Sequence, residues 1–216
     1  MSSRRFLTVV SAFWIKFFWI NVIDKKLLVV IEYIKEAKSR KRKGRELMER
    51  DDRLIKLYSR VYSKPKCVRA LKLVGGACVL YVAAVFAFGC ILVGVREGLL
   101  ALLRLVLMAA IPFALVSLMR LLFNLERPYE LVNFLPFEKM KAERKAGRSF
   151  PSRHVFSAFL IGALLITVSP AVGVLTLLVG AFLALERVML GIHFPKDVIV
   201  GAIVGLVSGI VGTLFL

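Results

Sequence analysis

The sequence predicts an all-α protein: a polytopic integral-membrane bundle of five to six transmembrane helices whose polar residues gather at one membrane face. Hydrophobic residues make up 59% of the chain and charged residues 21%. Several windows are apolar on every side, as membrane-spanning helices are. The net charge of +18 lies between these windows. A charge interleaved with apolar runs does not suit nucleic-acid binding.

Five windows approach the length of about 20 residues that a helix needs to cross a bilayer. They cover residues 68–95, 98–123, 154–168, 171–190 and 198–216, of which the third is short. Ser169 and Pro170 predict a tight turn, so the third and fourth helices form an antiparallel hairpin. Gly201, Gly205 and Gly209 recur every four residues in the last window, and this spacing predicts close packing against another helix.

The N-terminal residues 1–66 are predicted to be separate from a transmembrane domain of residues 67–216. Residues 6–34 are long enough to span, but Lys16 lies in the middle of their apolar part. A helix lying in the membrane interface or partly inserted is the favoured interpretation. A spanning helix is the alternative.

A basic segment of residues 35–69 follows, with 14 Lys or Arg and five Asp or Glu. Such a segment beside a membrane attracts anionic lipid headgroups. A specific partner-binding role is the alternative to that interpretation. The three cysteines, Cys67, Cys78 and Cys90, show no metal or disulfide spacing, and we expect them to pack in the core.

The first polar cluster is RLLFNLERP, where we expect Arg120 and Arg127 to lie on one side of a helix that Pro128 ends. Arginine always carries its charge and offers a planar fork of donors, which suits phosphate oxygens. Taken alone, the pair could equally be interfacial arginines that extend to lipid headgroups.

The second cluster is SFPSRHVFSAF, residues 149–159. Ser152 is predicted to be the N-cap of a helix with His154 in its first turn. A helix N-terminus presents free N–H groups to an anion, and Arg153 adds charge. An ordinary capped helix would explain Ser152 but not His154.

The third cluster is ERVMLGIHFPKD, in which Arg187 precedes His193 and Asp197 follows it. We expect Gly191 and Pro195 to interrupt the helix between them. A carboxylate near an imidazole holds one ring N–H and leaves the other nitrogen free as a nucleophile or base. A single His-x-x-x-Asp pattern is weak evidence by itself.

Together, the three clusters bring both histidines of the chain, several arginines and a carboxylate to one membrane face. The sequence shows no carboxylate cluster or Cys/His set that suits a metal ion, and it predicts no cofactor. The pattern predicts phosphoryl transfer through a protein nucleophile, with arginines and helix N–H groups in place of a metal.

These clusters resemble the signature of the type 2 phosphatidic acid phosphatase superfamily, which also includes the vanadium haloperoxidases. That signature reads Lys-x6-Arg-Pro, Pro-Ser-Gly-His and Ser-Arg-x5-His-x3-Asp. This chain has Arg120-x6-Arg127-Pro128, Pro151-Ser152-Arg153-His154 and Arg187-x5-His193-x3-Asp197. The resemblance covers residues 68–216, including the order of the motifs on successive helices.

The resemblance implies that His193 attacks phosphorus to form a phosphohistidine, oriented by Asp197. It implies that His154 protonates the departing alkoxide and then activates water. The phosphate would be bound by the side chains of Arg120, Arg127, Ser152 and Arg187 and by the backbone N–H of Arg153.

Three positions depart from the signature. Arg120 stands in place of lysine, which keeps the charge. Arg153 stands in place of glycine, where its side chain could contact a second phosphate. Glu186 stands in place of a serine that donates to the phosphate, and we expect its carboxylate to turn away or to pair with Arg153 or Arg187.

The resulting prediction is a metal-independent phosphatase for a membrane lipid: phosphatidate, phosphatidylglycerol phosphate or a polyprenyl diphosphate. A phosphotransferase with a hydroxyl acceptor is one alternative, and a non-catalytic protein that binds anionic lipids or partners is the other. The expected location is a bacterial cytoplasmic membrane. The excess of Lys and Arg places the site on the cytoplasmic face, although many bacterial relatives of the resembled family act on the outer face.

Overall fold

A computed structural model describes residues 52–132, 134, 136–137 and 146–215. The predicted interfacial helix of residues 6–34 and the first part of the basic segment lie outside the described residues. All regular structure in the described part is helical, as predicted. The elements are α1 (Asp52–Tyr62), α2 (Pro65–Glu97), α3 (Leu99–Phe123), α4 (Pro128–Leu131), α5 (Arg153–Leu165), α6 (Pro170–Met189) and α7 (Pro195–Thr213).

Four of the described helices, α2, α3, α6 and α7, are long and apolar enough to cross a membrane. The third predicted span is the shorter helix α5, which lies at the centre of the bundle and packs against all four. Most α5 side chains from Val155 to Leu165 are buried, whereas leucines and valines of the longer helices are exposed at the outer surface. Those exposed residues suit contact with lipid.

Prolines and a glycine set most of the helix boundaries. Helices α2, α4, α6 and α7 each begin at a proline, which fits the first turn because its missing N–H would have no partner there. Gly98 lies between α2 and α3 at a φ of 87°, a left-handed conformation that favours glycine. The turn predicted at Ser169 and Pro170 joins α5 to α6.

The glycines of α7 pack against α5, as the four-residue spacing predicted. A Cβ atom on Gly201 would lie 2.8 Å from the carbonyl oxygen of Ser152, and one on Gly205 would meet the carbonyl of Phe156. A Cβ atom on Gly209 would meet the side chain of Ala163 and would lie 2.8 Å from the carbonyl oxygen of Leu160. These glycines bring α7 close to the start of α5.

The predicted span of residues 98–123 ends where α3 ends, but the predicted placement of Arg127 on that helix is wrong. We expected Arg120 and Arg127 on one helix ending at Pro128, but α3 ends at Phe123. Asn124 adopts a left-handed conformation with a φ of 39°, which amides tolerate better than most side chains. Arg127 therefore lies in extended backbone and is the residue before α4.

The basic helix α1 lies at the same end of the bundle as the three polar clusters. The hydroxyl of Tyr62 donates a hydrogen bond of 3.1 Å to the carbonyl of Leu190, next to the third cluster. The rings of Tyr58 and Phe137 meet edge to face at 5.0 Å. Of the three free cysteines, Cys78 and Cys90 are half-buried against the core, but Cys67 is exposed, contrary to the expectation.

Candidate active site

Backbone hydrogen bonds join the three polar clusters into one site. The N–H of Ser152 donates to the carbonyl of Asp197 at 3.0 Å, and the N–H of Ser149 donates to the carbonyl of Leu125 at 2.8 Å. The guanidinium of Arg120 donates to the carbonyl of Pro151. The loop after α3, the start of α5 and the turn before α7 therefore meet at one place.

His193 and Asp197 lie together in the buried centre of the site. Nδ1 of His193 is 3.7 Å from Oδ2 of Asp197. The hydroxyl of Ser149 lies between them, 2.5 Å from Oδ2 of Asp197 and 3.4 Å from Nδ1 of His193. Asp197 also accepts from the backbone N–H of Phe194 at 3.1 Å. This arrangement fixes Nδ1 toward the carboxylate and leaves Nε2 as the free ring nitrogen.

The turn that carries His193 forms because α6 stops at Met189. Gly191 has a φ of 68°, and its lack of a side chain leaves room for the ring of Phe137. The N–H of His193 then donates back to the carbonyl of Arg187 at 3.2 Å. The predicted interruption between α6 and α7 is confirmed.

Burial lowers the pKa of His193 from 6.5 to about 4, because the charged imidazolium loses its hydration. The nearby carboxylate of Asp197 acts in the opposite direction, and the positive charges of Arg127 and Arg120 lower the pKa further. His193 is therefore neutral at pH 7 and has an unprotonated ring nitrogen.

Ser152 is the N-cap residue of α5, as predicted, but its side chain does not cap the helix. The residue is fully buried, and its hydroxyl oxygen has no hydrogen-bond partner in the part of the chain that the structure describes. Arg153 and His154, the first two residues of α5, are exposed. A buried hydroxyl without a partner beside a helix N-terminus suits an anionic ligand.

Arg127 is held in place by a carboxylate that the sequence analysis did not single out. Glu130 accepts from the backbone N–H of Arg127 at 2.9 Å and from that of Gly147 at 2.6 Å. Nε of Arg127 donates to the carbonyl of Gly147 at 3.0 Å. These bonds connect the loop after α3 to the segment that leads into α5.

Glu186 pairs with Arg187, one of the two partners expected from the sequence. Its Oε2 lies 3.1 Å from Nε of Arg187, and the two side chains are 2% and 12% exposed. The carboxylate lies beside Gly75 of α2.

The structure brings the sequence-predicted residues to the same end of the bundle. His193, Arg187 and Arg153 lie close enough to act electrostatically on His154. Arg120 is similarly close to Arg127, Arg153 and Asp197. Within the described ranges, no group of three or more His, Cys, Asp or Glu is placed to hold a metal ion.

An apolar cavity of about 400 Å³ adjoins this site at His154. His154 and Ser157 are its polar lining residues. The rest of its wall comes from α2, α3, α5 and α6 and includes Val79, Ala83, Phe86, Ala110, Phe113 and Leu183.

Ser149 and Glu130 contact the site but were not among the residues predicted from the sequence. Ser149 begins the stretch SFPSRH, but its contacts with His193 and Asp197 cross 44 and 48 residues of chain. Glu130 follows Arg127 by three residues, which is the spacing of a carboxylate that bonds back to the start of a helix. That local signal could have identified Glu130, whereas nothing local identifies Ser149.

The fold and the site define an integral membrane protein with a buried centre of histidine and arginine residues. A family model of the PAP2 superfamily matches residues 101–216, and the chain belongs to this superfamily. The predicted resemblance to the type 2 phosphatidic acid phosphatase superfamily is thus confirmed.

Individual proteins also resemble this chain in sequence or in fold. The bacitracin transport permease protein BcrC of Bacillus licheniformis is 29% identical over 106 residues, 49% of this chain and 52% of BcrC. The match therefore spans about half of that relative. The crystal structure of LpxE from Aquifex aeolicus superimposes with a TM-score of 0.53 at 24% identity, covering 73% of this chain and 93% of LpxE. This likeness confirms the fold.

A second solved structure is the PAP2-type phosphatidylglycerolphosphate phosphatase of Bacillus subtilis. It matches with a TM-score of 0.45 and 20% identity, over 75% of this chain and 91% of that chain.

Proposed function

We propose that this protein removes phosphate from a membrane lipid, either a phosphate monoester or a diphosphate, by a metal-independent mechanism. The observation that carries the proposal is the position of His154. This residue is shared between the polar site, where arginines surround it, and the apolar cavity of about 400 Å³. A substrate with a phosphate head and an apolar tail matches both environments.

In the proposed first step, Nε2 of His193 attacks phosphorus, and the bond from phosphorus to the lipid oxygen breaks. Because burial keeps His193 neutral, its lone pair is available at pH 7. Asp197 holds the Nδ1–H and stabilises the positive charge that develops on the ring. The 3.7 Å separation between these groups would shorten as that charge forms.

His154 is protonated when the negatively charged phosphate is bound beside it, and it donates that proton to the departing lipid alkoxide and becomes neutral. In the second step, the same histidine takes a proton from water, and the resulting hydroxide attacks the phosphohistidine. This releases inorganic phosphate and regenerates neutral His193. Reuse of one residue as acid and then base leaves the enzyme unchanged at the end of the cycle.

The phosphate oxygens are held by a phosphate-binding cluster of Arg120, Arg127, Ser152, Arg187 and the backbone N–H of Arg153. The buried hydroxyl of Ser152 has no partner in the described chain, so a bound phosphate would satisfy it. Guanidinium groups and helix N–H groups stabilise charge on the transferring phosphoryl group without needing to reorganise.

Phosphatidate, phosphatidylglycerol phosphate and polyprenyl diphosphates are the proposed substrates. We further propose that the protein resides in a bacterial cytoplasmic membrane with its site on the cytoplasmic face. Basic residues 35–69 support that orientation, and they would also attract anionic lipid headgroups.

The test measures phosphate release from these lipid phosphates in detergent with EDTA, for the wild type, His193→Ala and His154→Ala. Release should resist EDTA. The rate of phosphate release should fall by about 10²–10⁴-fold in His154→Ala, and His193→Ala should release no phosphate. Radiolabelled phosphate should remain on the denatured wild type but not on His193→Ala. Release that EDTA abolishes, or that survives His193→Ala, would contradict the proposal.

A further inference from the structure

Glu186 is a buried carboxylate placed where the PAP2 signature has a serine. It is 2% exposed, and it lies 3.1 Å from Nε of its neighbour Arg187. Adjacent residues on a helix do not normally face each other, so the two side chains must bend together to make this contact. The contact between Glu186 and Arg187 is possible because a glycine of the neighbouring helix α2 leaves room for the carboxylate.

Gly75 of α2 provides the space that the Glu186 carboxylate occupies. A Cβ atom at position 75 would lie 2.6 Å from Oε1 and 2.7 Å from Cδ of Glu186. The next residue, Gly76, has no atom within 4 Å of its Cβ position. Gly75 is buried and Gly76 is exposed. Of these two adjacent glycines, Gly75 alone accommodates the carboxylate.

We propose that Glu186, lying against Gly75, is a positioning residue that orients the guanidinium of Arg187 toward the phosphate. The inference rests on the proposed function in that Arg187 binds the phosphate. The carboxylate lies against the Nε side of the guanidinium, so it restricts the direction in which the terminal N–H groups point, and those groups are the ones that suit phosphate oxygens. The carboxylate thus replaces the donating serine of the signature by acting through the neighbouring arginine.

The charges of the site are consistent with this role. Arg153 adds one positive charge where the signature has glycine, and Glu186 adds one negative charge where it has serine. The two changes together leave the net charge unchanged. A paired carboxylate also reduces the repulsion among clustered arginines before substrate binds.

The experiment compares Gly75→Ala, Gly76→Ala, Glu186→Ala and the double variant Gly75→Ala/Glu186→Ala with the wild type. All are full-length proteins in detergent. Gly75→Ala displaces only the end of a flexible side chain, and Gly76→Ala adds the same methyl group one residue away without a collision. The readouts are kcat and KM for phosphatidate and the rise in Tm with inorganic phosphate, which reports binding without turnover.

We expect Gly75→Ala and Glu186→Ala each to weaken inorganic phosphate binding by about tenfold and to raise KM, while Gly76→Ala stays within twofold of the wild type. The double variant should bind no more weakly than Glu186→Ala, because no carboxylate remains to be displaced. Equal behaviour of Gly75→Ala and Gly76→Ala, or additive losses in the double variant, would overturn the inference.

The two proposals fail in different ways. If the wild type hydrolyses phosphatidate and all the variants bind phosphate normally, Glu186 has no positioning role and the proposed function stands. If the wild type releases no phosphate from any lipid but shows a Glu186-dependent rise in Tm, the positioning role stands and the hydrolase proposal fails. A wild type with neither property overturns both.

Discussion

The hydroxyl of Ser149 donates a hydrogen bond of 2.5 Å to Oδ2 of Asp197, and the Ser149 hydroxyl oxygen also lies 3.4 Å from Nδ1 of His193. All three residues are buried. Oδ1 of Asp197 has no hydrogen-bond partner in the described part of the chain, so the bonds to Oδ2 set the orientation of the carboxylate. Ser149 therefore links the segment before α5 to the turn that carries the proposed nucleophile.

Ser149→Ala is expected to lower kcat by about 10–100-fold, because it removes a hydrogen bond to a buried charged group. The loss should appear in kcat more than in KM, since Ser149 orients Asp197 and is not proposed to contact the substrate. The measurement is steady-state phosphate release from a lipid phosphate. Ser117→Ala is the matched control, because the Ser117 hydroxyl is buried without a partner in the described chain. Equal kinetics in the two variants would show that Ser149 does not orient the carboxylate.

Stability should decrease as the pH falls below 6.5, because of His193. Its pKa is about 4 in the folded protein against an ordinary value of 6.5, so the unfolded chain binds a proton in this window and the folded chain does not. The contribution of neutral His193 to the free energy of unfolding is complete above pH 6.5 and is lost progressively as the pH falls to 4. Between pH 7.5 and pH 5 the loss is about 2 kcal/mol.

The measurement for this pH dependence is Tm in detergent, where 2 kcal/mol corresponds to roughly 4–8 °C for a chain of this size. His193→Gln removes the titrating group and should show a smaller decrease over the same range. Carboxylates contribute to the pH dependence of Tm in both proteins, so the difference between the two curves reports the contribution of His193 alone. Parallel curves would contradict the lowered pKa.

The helices were predictable from the sequence, and the long-range contacts of the site were not. Apolar runs with proline and glycine boundaries locate α2, α3, α6 and α7, because these signals are local. The position of Arg127 was predicted wrongly, since the left-handed conformation of Asn124 ends α3 four residues before the proline. The contact between Ser149 and Asp197 and the space at Gly75 depend on tertiary packing. A glycine in an apolar helix gives no sign of the carboxylate it accommodates.

Arg153→Gly, which restores the residue of the PAP2 signature, is expected to reduce preference for a diphosphate. Arg153 is exposed at the start of α5, where it can attract a second phosphate beyond the one being hydrolysed. The ratio of kcat/KM for a prenyl diphosphate to that for the corresponding monophosphate should fall by about threefold, since an exposed charge contributes modestly. The effect should diminish with added salt.

Two comparisons make the Arg153 result specific. Arg153→Lys keeps the charge and should keep most of the preference. Arg96→Gly removes an arginine at the end of α2, on the opposite side of the membrane, and should leave the ratio unchanged. Equal losses for both substrates in Arg153→Gly would place Arg153 on the reacting phosphate instead.

The proposed cytoplasmic orientation of the site predicts how single cysteines react with a membrane-impermeant thiol reagent. In a chain whose three native cysteines are replaced by alanine, Arg148→Cys places a thiol in the exposed segment before α5, and Glu97→Cys places one at the opposite end of α2. In intact cells Glu97→Cys should react, whereas Arg148→Cys should react only after permeabilisation. The reverse pattern would place the site on the outer face.

The apolar cavity predicts a selective effect on long-chain substrates. Ala83 and Ala84 are both exposed, but only Ala83 lines the cavity. Ala83→Phe would fill space for about two methylene groups of a lipid tail, worth about 0.8 kcal/mol each. The KM for a long-chain phosphatidate should therefore rise by about tenfold, with little change for a short-chain phosphatidate. Ala84→Phe adds the same ring beside it and should leave both values unchanged. If neither variant distinguishes the two chain lengths, the tail binds elsewhere, and the cavity has no role in substrate recognition.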